Sequence, residues 1–316
     1  MRDMIFNDLS VQIPVDSIHE VRPLLVDITK GMACLVSAGA AKPILRMTRG
    51  WDEYRCARDG SLWDLISLMR RDRMEPDETR FLMRLGMKAP LLDDLPDDVV
   101  DRFRGCEPII GVDSGGECLV LCAHLLGVAI SLRLQPEVDC DRLLVRFREM
   151  TAQLQIEDVE ETIDNLARET HAAVILARHR RQLVGNLSFS NLWSKRAAAF
   201  PHLRFGLDVE ANLQCLNPAL VGPVVKRLDE LNEAAEEWPR IATPAPRWRS
   251  KVSPESERVM KNALLKSFRV FKSADGQSTL FEWHARFGSS HRIHLRFDRE
   301  VFAVEIGYIG LHLPLA

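Results

Sequence analysis

Histidines and arginines alternate with apolar residues in two stretches of the sequence, at 281–287 and 292–297. The polar set of the first stretch is Glu282, His284 and Arg286, and that of the second is Arg292, His294 and Arg296. Histidine titrates near neutral pH and can transfer protons, whereas arginine can hold a phosphate through two parallel hydrogen bonds. These side chains therefore suit the binding or the cleavage of a nucleic-acid backbone.

The spacing of these residues predicts antiparallel strands. A period of two places the apolar residues on one face of a sheet and the polar residues on the other. A third stretch, at 302–306, has the same alternation, and turns at 288–290 and 298–300 would join the three strands as hairpins. A simpler interpretation of the polar face stays open: it is a solvated surface on which Glu282 and Glu305 pair with arginines across the strands.

A helix is predicted before the strands. Ser253, Pro254 and Glu255 follow the preferred order of a cap, a proline at the first helical position and an early acid, and the helix would run to about Phe271. The proline-rich and basic residues 239–252 are typical of a linker. We therefore predict an α+β chain with a mostly helical body at 1–238, a possible sub-boundary near 105–136, the linker, and a basic module at 253–316.

Within the body, amphipathic spacing predicts helices at 139–150, at 157–181 and at 224–238. The glycine-rich residues 111–117 do not match a phosphate-binding loop and predict a plain turn. The single His124 in an apolar segment is expected to be a hydrogen-bonded core residue.

Charge is divided unevenly along the chain. Residues 247–316 carry twelve Lys and Arg against seven Asp and Glu, so this segment has a net charge of +5, while the rest of the chain has a net charge of −8. A basic segment joined to an acidic body either binds a polyanion or docks on that body.

The helix followed by three antiparallel strands, with HRIHLRF on the second strand and VEIGYIGLHLP closing the third, resembles the RelE/ParE-like toxin fold. The likeness covers residues 253–316. Members of that superfamily are small messenger-RNA endonucleases or gyrase poisons with basic, histidine or tyrosine residues on the exposed sheet face. The resemblance implies that Arg292 and His294 occupy the basic positions of the middle strand, and that Tyr308 or His312 is the polar residue near the end of the fold.

Other composition signals exclude several classes. The sequence shows no secretory signal and no apolar stretch of membrane-spanning length, so we expect a cytoplasmic protein. Its seven scattered cysteines favour free thiols over a disulfide framework. No zinc-binding spacing of cysteine and histidine is found, and we predict neither a metal nor a cofactor.

The leading hypothesis is a prokaryotic defence or toxin-type effector whose basic module contacts nucleic acid, with RNA favoured, and which could be a metal-independent ribonuclease. In that case His284, Arg292 and His294 would be catalytic, and Arg286, Arg296, Tyr308 and His312 would bind the nucleic acid. The alternative is a non-catalytic adaptor or structural subunit that docks on protein partners in a larger defence complex.

Overall fold

The computed structural model describes residues 1–86, 91–109, 116–150 and 155–315, and the chain divides into two units. The first unit is Met1–His179 and the second is Arg180–Ala316. The chain thus divides within a helix near residue 180, whereas residues 239–252, predicted as a linker, lie inside the second unit. Most of the predicted turn at 111–117 falls outside the described residues. Across the part of the chain that is described, no helix is long and apolar enough to cross a lipid bilayer.

The first unit is built on a six-stranded sheet with the order β2-β1-β4-β6-β5-β3. Neighbouring strands from β2 to β6 run parallel, and β5 and β3 add antiparallel pairs at one edge. Its elements are β1 (Arg2–Phe6), α1 (Ile18–Ser37), β2 (Ala41–Arg46), α2 (Leu62–Arg71), α3 (Pro76–Gly86), α4 (Asp97–Arg104), β3 (Cys106–Pro108), α5 (Glu117–His124), β4 (Val128–Ile130), β5 (Arg142–Met150), β6 (Ile156–Leu166) and α6 (Glu169–Gly185), the last of which continues into the second unit.

The prediction of a mostly helical body is wrong for this unit. The predicted helix at 139–150 is strand β5, and most of the first half of the predicted helix at 157–181 is strand β6. In β5, Val145 and Phe147 are buried whereas their neighbours Arg146 and Arg148 are exposed, which is the period of a strand rather than of a helix. Cross-strand ion pairs such as Arg146 with Glu160, at 2.8 Å, accommodate the high charge of both strands.

The second unit is built on a five-stranded sheet with the order β7-β13-β12-β11-β8, in which only the β7–β13 pair is parallel. Helix α9, predicted at 224–238, is confirmed, and Trp238 from this helix lies edge-on to Phe297 and Phe302 in the core beneath the sheet. The elements are α7 (Leu192–Ala199), β7 (Leu203–Phe205), α8 (Val209–Gln214), α9 (Val221–Ile241), β8 (Val252–Pro254), α10 (Glu257–Lys261), α11 (Ala263–Ser267), β9 (Val270–Lys272), β10 (Ser278–Leu280), β11 (Trp283–Phe287), β12 (His291–Asp298) and β13 (Ala303–Leu311).

The three strands predicted for the module at 253–316 are present, but they belong to a five-stranded sheet that also includes β7 and β8, so the predicted three-stranded layout is not confirmed. β11, β12 and β13 pair as successive antiparallel hairpins. The predicted helix from 254 to 271 is replaced by an edge strand and two short helices. Pro254 lies in β8, at the edge of the sheet, where a residue without an N–H group is tolerated. The side chain of Asn262 accepts hydrogen bonds from the N–H groups of Leu264 and Leu265, and so begins a new helix there.

Candidate functional site

Four strands of the second unit bring polar residues into one row across the sheet. Ser253 pairs with His284, His284 pairs with His294, and His294 pairs with Tyr308. The ring centroids of the two histidines are 5.8 Å apart, and those of His294 and Tyr308 are 6.0 Å apart. Directly opposite residues share one face of a sheet, so these four side chains form a continuous polar row, which we call the histidine row.

A bulge at Gly307 completes the histidine row. The register shifts between the pairs His294–Tyr308 and Leu295–Ile306, which leaves Gly307 as the extra residue of β13. A β-carbon on Gly307 would lie 2.6 Å from the ring of Phe281, so the close approach of that buried ring requires glycine. The bulge therefore allows Tyr308 to face the same side as His294 while Ile306 remains in the core.

A buried carboxylate and a buried guanidinium lie against the middle of the histidine row. The Glu255 Oε1 atom is 3.4 Å from Arg269 Nε, 3.4 Å from His284 Nδ1 and 3.8 Å from His294 Nδ1. Only 5% of the Glu255 side chain and 1% of the His294 side chain are exposed, and Arg269 is fully buried. Arg269 Nη1 is fixed by the carbonyl oxygens of Leu265 and Pro314, at 2.9 and 2.8 Å.

Burial and charge separate the pKa values of this cluster. Burial lowers the pKa of His294 from 6.5 to about 4, so His294 is neutral at physiological pH. Burial alone would raise the pKa of Glu255, but the adjacent imidazole of His284 and the positive charge of Arg269 lower it from 4.5 to about 2. The cluster therefore holds a permanent Arg269–Glu255 ion pair beside an uncharged imidazole.

His284 is the histidine of the row that has access to solvent, with 14% of its side chain exposed. Its Nδ1 atom faces Glu255, and its Nε2 atom lies 3.4 Å from the hydroxyl oxygen of Ser253. A carboxylate at Nδ1 favours the tautomer in which Nδ1 carries the proton and Nε2 is free to accept another. His284 is thus arranged as a base, while the buried His294 has the role of a packing partner.

Two arginines lie directly opposite each other, two residues along the strands from the two histidines. Arg286 on β11 pairs with Arg292 on β12. Arg286 is exposed, whereas Arg292 is only 6% exposed and its Nη1 atom donates to the carbonyl oxygen of His291 at 2.8 Å. Burial and the charge of Arg286 lower the pKa of Arg292. Among the described residues, neither arginine forms a salt bridge, and the negative charge of Glu255 offsets part of the effect of Arg286 on Arg292.

The cluster also holds more hydrogen-bond donors than its own acceptors satisfy. In the described part of the chain, no geometrically acceptable hydrogen bond reaches Nε and Nη2 of Arg269, Nε of Arg292, or Nδ1 of His284 and His294. Buried donors without acceptors are costly, and the oxygens of an anion would relieve that cost.

The other predicted site residues lie at the margin of this group or outside it. Arg296 pairs with Glu305 at 2.6 Å, as the simpler interpretation of the polar face expected for Glu305. Tyr308 ends the histidine row, where its ring stacks on Phe271 at 5.1 Å. His312 follows the last strand and lies 2.7 Å from the carbonyl oxygen of Leu313, through Nδ1. The structure therefore groups His284, His294, Arg286 and Arg292. Arg296 lies two residues beyond His294 on the same strand with its charge balanced by Glu305, and His312 lies beyond the end of β13.

Sequence reasoning missed three residues of the site, namely Ser253, Glu255 and Arg269. The first and the third of these were assigned to a helix that does not form, and Glu255 was assigned to its first turn. Their position against the strands depends on the pairing of β8 with β11 and on the turn before β9, which no local pattern reveals. No family model, curated protein or solved structure with which the chain was compared matches it.

Proposed function

We propose that the second unit binds an RNA backbone and cleaves it at a phosphate held by Arg286 and Arg292, with His284 as the general base. The observation that carries this proposal is the Arg286–Arg292 pair, which lies two residues along the strands from the His284–His294 pair and in which, among the described residues, neither arginine forms a salt bridge. Like charges directly opposite each other on a sheet are unfavourable, and a bound phosphate would reverse that cost.

The proposed chemistry follows from the tautomer of His284, in which Nδ1 carries the proton and Nε2 is free. Its Nε2 atom would accept the proton of a ribose 2′-hydroxyl, and the resulting oxygen would attack the adjacent phosphorus. The bond from phosphorus to the 5′-oxygen breaks, which leaves a 2′,3′-cyclic phosphate on one fragment and a 5′-hydroxyl on the other once that oxygen takes a proton. The arginines would stabilise the negative charge that grows on the phosphate oxygens. Glu255 would hold the imidazole in the required tautomer, as a positioning residue.

Two further considerations support this proposal. The net charge of +5 on residues 247–316 favours a polyanionic partner. The hairpins β11 to β13, with Arg292 and His294 on the middle strand, resemble the RelE/ParE-like toxin sheet, and on that resemblance the protein would be a toxin-type or defence effector. In this chain Arg269 and Phe271 lie against the polar face.

Cleavage is tested with the full chain and a single-stranded RNA oligonucleotide. We expect a His284→Ala variant to lose about 10²- to 10⁴-fold of the cleavage rate and to keep its affinity for RNA, because a general base contributes about that factor. His202→Ala is the matched control, since His202 is an exposed histidine of the same unit. Cleaved ends must carry the 2′,3′-cyclic phosphate, and an oligonucleotide with 2′-deoxyribose throughout must bind without being cut. Equal rates for the two variants would contradict the role of His284.

Binding is tested by the dependence of affinity on salt. We expect Arg286→Ala to weaken binding and to reduce the slope of log affinity against log salt by about 0.7, the value for one phosphate contact on a single strand. Arg299→Ala removes an exposed arginine from the turn after β12 and serves as the control. If both variants bind RNA as the parent does, Arg286 does not hold a phosphate.

A second function, that of a non-catalytic adaptor, is favoured by one observation. Part of the basic charge of the 247–316 segment is neutralised within the unit, where Arg249 lies 2.8 Å from Glu233 and 4.0 Å from Glu237 on helix α9. An adaptor would bind no RNA even at low salt, and Glu233→Gln would change the stability of the second unit without any effect on a nucleic-acid assay. RNA binding that weakens with salt would exclude this alternative.

A further inference from the structure

We propose that Cys106, His124 and Glu149 of the first unit form a site for a zinc ion. These residues play no part in the histidine row or in the proposed cleavage of RNA. The proposal rests on the way that three separate elements bring a thiol, an imidazole and a carboxylate together.

The three side chains converge at the antiparallel edge of the six-stranded sheet. Cys106 is the first residue of β3 and pairs directly with Glu149 on β5, while His124 is the last residue of α5. The Cys106 Sγ atom lies 3.2 Å from His124 Nε2, and one donor atom from each of the three residues lies within 4.8 Å of the others.

This spacing suits tetrahedral coordination. Zinc binds thiolate sulfur at about 2.3 Å and imidazole nitrogen or carboxylate oxygen at about 2.0–2.2 Å, so neighbouring ligand atoms around it are about 3.5 Å apart. The contact between the cysteine sulfur and the histidine nitrogen is already close to that separation. The Cys106 thiol, which donates to the carbonyl oxygen of Arg102 at 3.3 Å, would release its proton to solvent when a zinc ion binds between the sulfur and the histidine nitrogen.

Neighbouring residues hold the three donors in place. The ring of His124 packs edge-on against Phe147, with centroids 5.3 Å apart. Arg102 binds Glu149 through two hydrogen bonds, of 2.5 and 3.3 Å, and fixes the plane of the carboxylate. Metal-binding carboxylates are commonly oriented by such outer partners, and each oxygen keeps a further lone pair for a cation. The Arg102 side chain is 62% exposed, so it can also move aside without leaving a buried charge.

A cavity beside Cys106 provides room for a fourth ligand. Its volume is about 180 Å³, and it is lined by Phe103, Arg104, Cys106, Pro108, Glu117 and Val120. Three protein ligands leave one tetrahedral position free for a water molecule, and Cys106 is the ligand that lines this cavity. Zinc sites of this open kind are those that can activate water or polarise a bound carbonyl group, whereas structural zinc sites have four protein ligands.

The local sequence around these residues does not reveal the site. Their separations of 18 and 25 residues match no spacing of a zinc motif, because each ligand comes from a different element. His124, expected in the core, is instead half-buried beside a thiol.

Cobalt(II) is the probe for this site, since it occupies zinc sites and reports thiolate ligands by an intense charge-transfer band in the near ultraviolet. We expect the metal-free full chain to bind one equivalent of Co²⁺ with this band, and to lose the band on addition of Zn²⁺. Cys106→Ser should abolish the band. Cys140→Ser is the matched control, because Cys140 is another half-buried cysteine of the same unit, and it should leave the band unchanged.

A second variant guards against a folding defect in Cys106→Ser. His124→Gln keeps the thiol, and we expect its Kd for Zn²⁺ to rise by at least about tenfold, since even the loss of an outer-shell partner costs that much. Circular dichroism shows whether each variant is folded. The proposal is overturned if the parent chain shows no saturable thiolate band, if the band persists in folded Cys106→Ser, or if folded His124→Gln binds Zn²⁺ as tightly as the parent.

Discussion

Replacement of His294 by leucine should remove a specific part of the pH dependence of stability. The His294 side chain is 1% exposed, and burial lowers its pKa from the ordinary 6.5 to about 4. In the unfolded chain the imidazole regains its ordinary pKa. Between pH 6.5 and about 4 the imidazole is therefore protonated in the unfolded state and neutral in the folded state. The stability associated with His294 is therefore complete above pH 6.5 and is lost as the pH falls towards 4.

The magnitude follows from the difference between the two pKa values. A shift from 6.5 to about 4 corresponds to about 3 kcal/mol, at about 1.4 kcal/mol for each pH unit. The charged or titratable groups that face His294 are Arg269, Glu255 and His284, and the carboxylate of Glu255 stays ionised across this range because its pKa is about 2. The variant keeps these neighbours, so the difference between the parent and His294→Leu isolates the imidazole.

Urea unfolding followed by tryptophan fluorescence is a suitable assay. Four of the six tryptophans, at 193, 238, 248 and 283, belong to the second unit. We expect the free energy of unfolding of the parent, relative to His294→Leu, to fall by about 3 kcal/mol between pH 7 and pH 4. His202→Leu is the control, because 43% of the His202 side chain is exposed.

A parallel pH dependence in the parent and in His294→Leu would refute this reasoning, because it would mean that the imidazole is protonated as readily in the folded chain as in the unfolded one. The same refutation would follow if His202→Leu changed the slope as much as His294→Leu does.

Two further predictions concern the same region. Glu255→Gln should destabilise the second unit by about 2–4 kcal/mol at pH 7, because it leaves the buried Arg269 without its counter-charge. The pKa of Glu255 is lowered from 4.5 to about 2, so the difference in unfolding free energy between the parent and the variant should shrink as the pH falls from 4.5 towards 2. Urea unfolding of both proteins across that range measures this difference, and a constant difference would contradict the prediction. Gly307→Ala should cost about 1–3 kcal/mol, because the new methyl group would overlap the buried Phe281 ring. Thermal unfolding measures this loss of stability. Gly185→Ala is the control, because Gly185 has open space around it, and its stability should not fall in this way.

Local periodicity was enough to predict the central strands of the second unit. The alternation in 283–287 and 291–298 depends on neighbours within each strand, and one apolar face must lie on a core whatever the rest of the fold does. Alternation separates two faces, but it does not tell whether the polar face meets solvent. His294 is buried beside Arg269 and Phe271, which are distant in sequence from β12, so its burial could not be predicted from the local sequence.

In the first unit, the secondary structure of two segments was predicted wrongly because many charged residues obscured the two-residue alternation of a strand. β5 and β6 carry many exposed arginines and glutamates that are also good helix formers, and their apolar residues are few. Pairing with each other decides their conformation, and such long-range pairing overrides intrinsic preference. Long-range pairing also places Glu255 beside His284. The local sequence around Pro254 predicted the start of a helix, but pairing with β11 makes this segment an edge strand.

The strand order of the second unit has a consequence for how the chain folds during its synthesis. β13 lies between β7 and β12, although it follows every other strand of that sheet in the sequence. During synthesis on the ribosome, β7 and the β11–β12 hairpin would therefore remain unpaired with each other until β13 emerged and paired with both. Tyr308 also belongs to β13, so a nascent chain would lack the complete histidine row until synthesis of this unit was nearly finished.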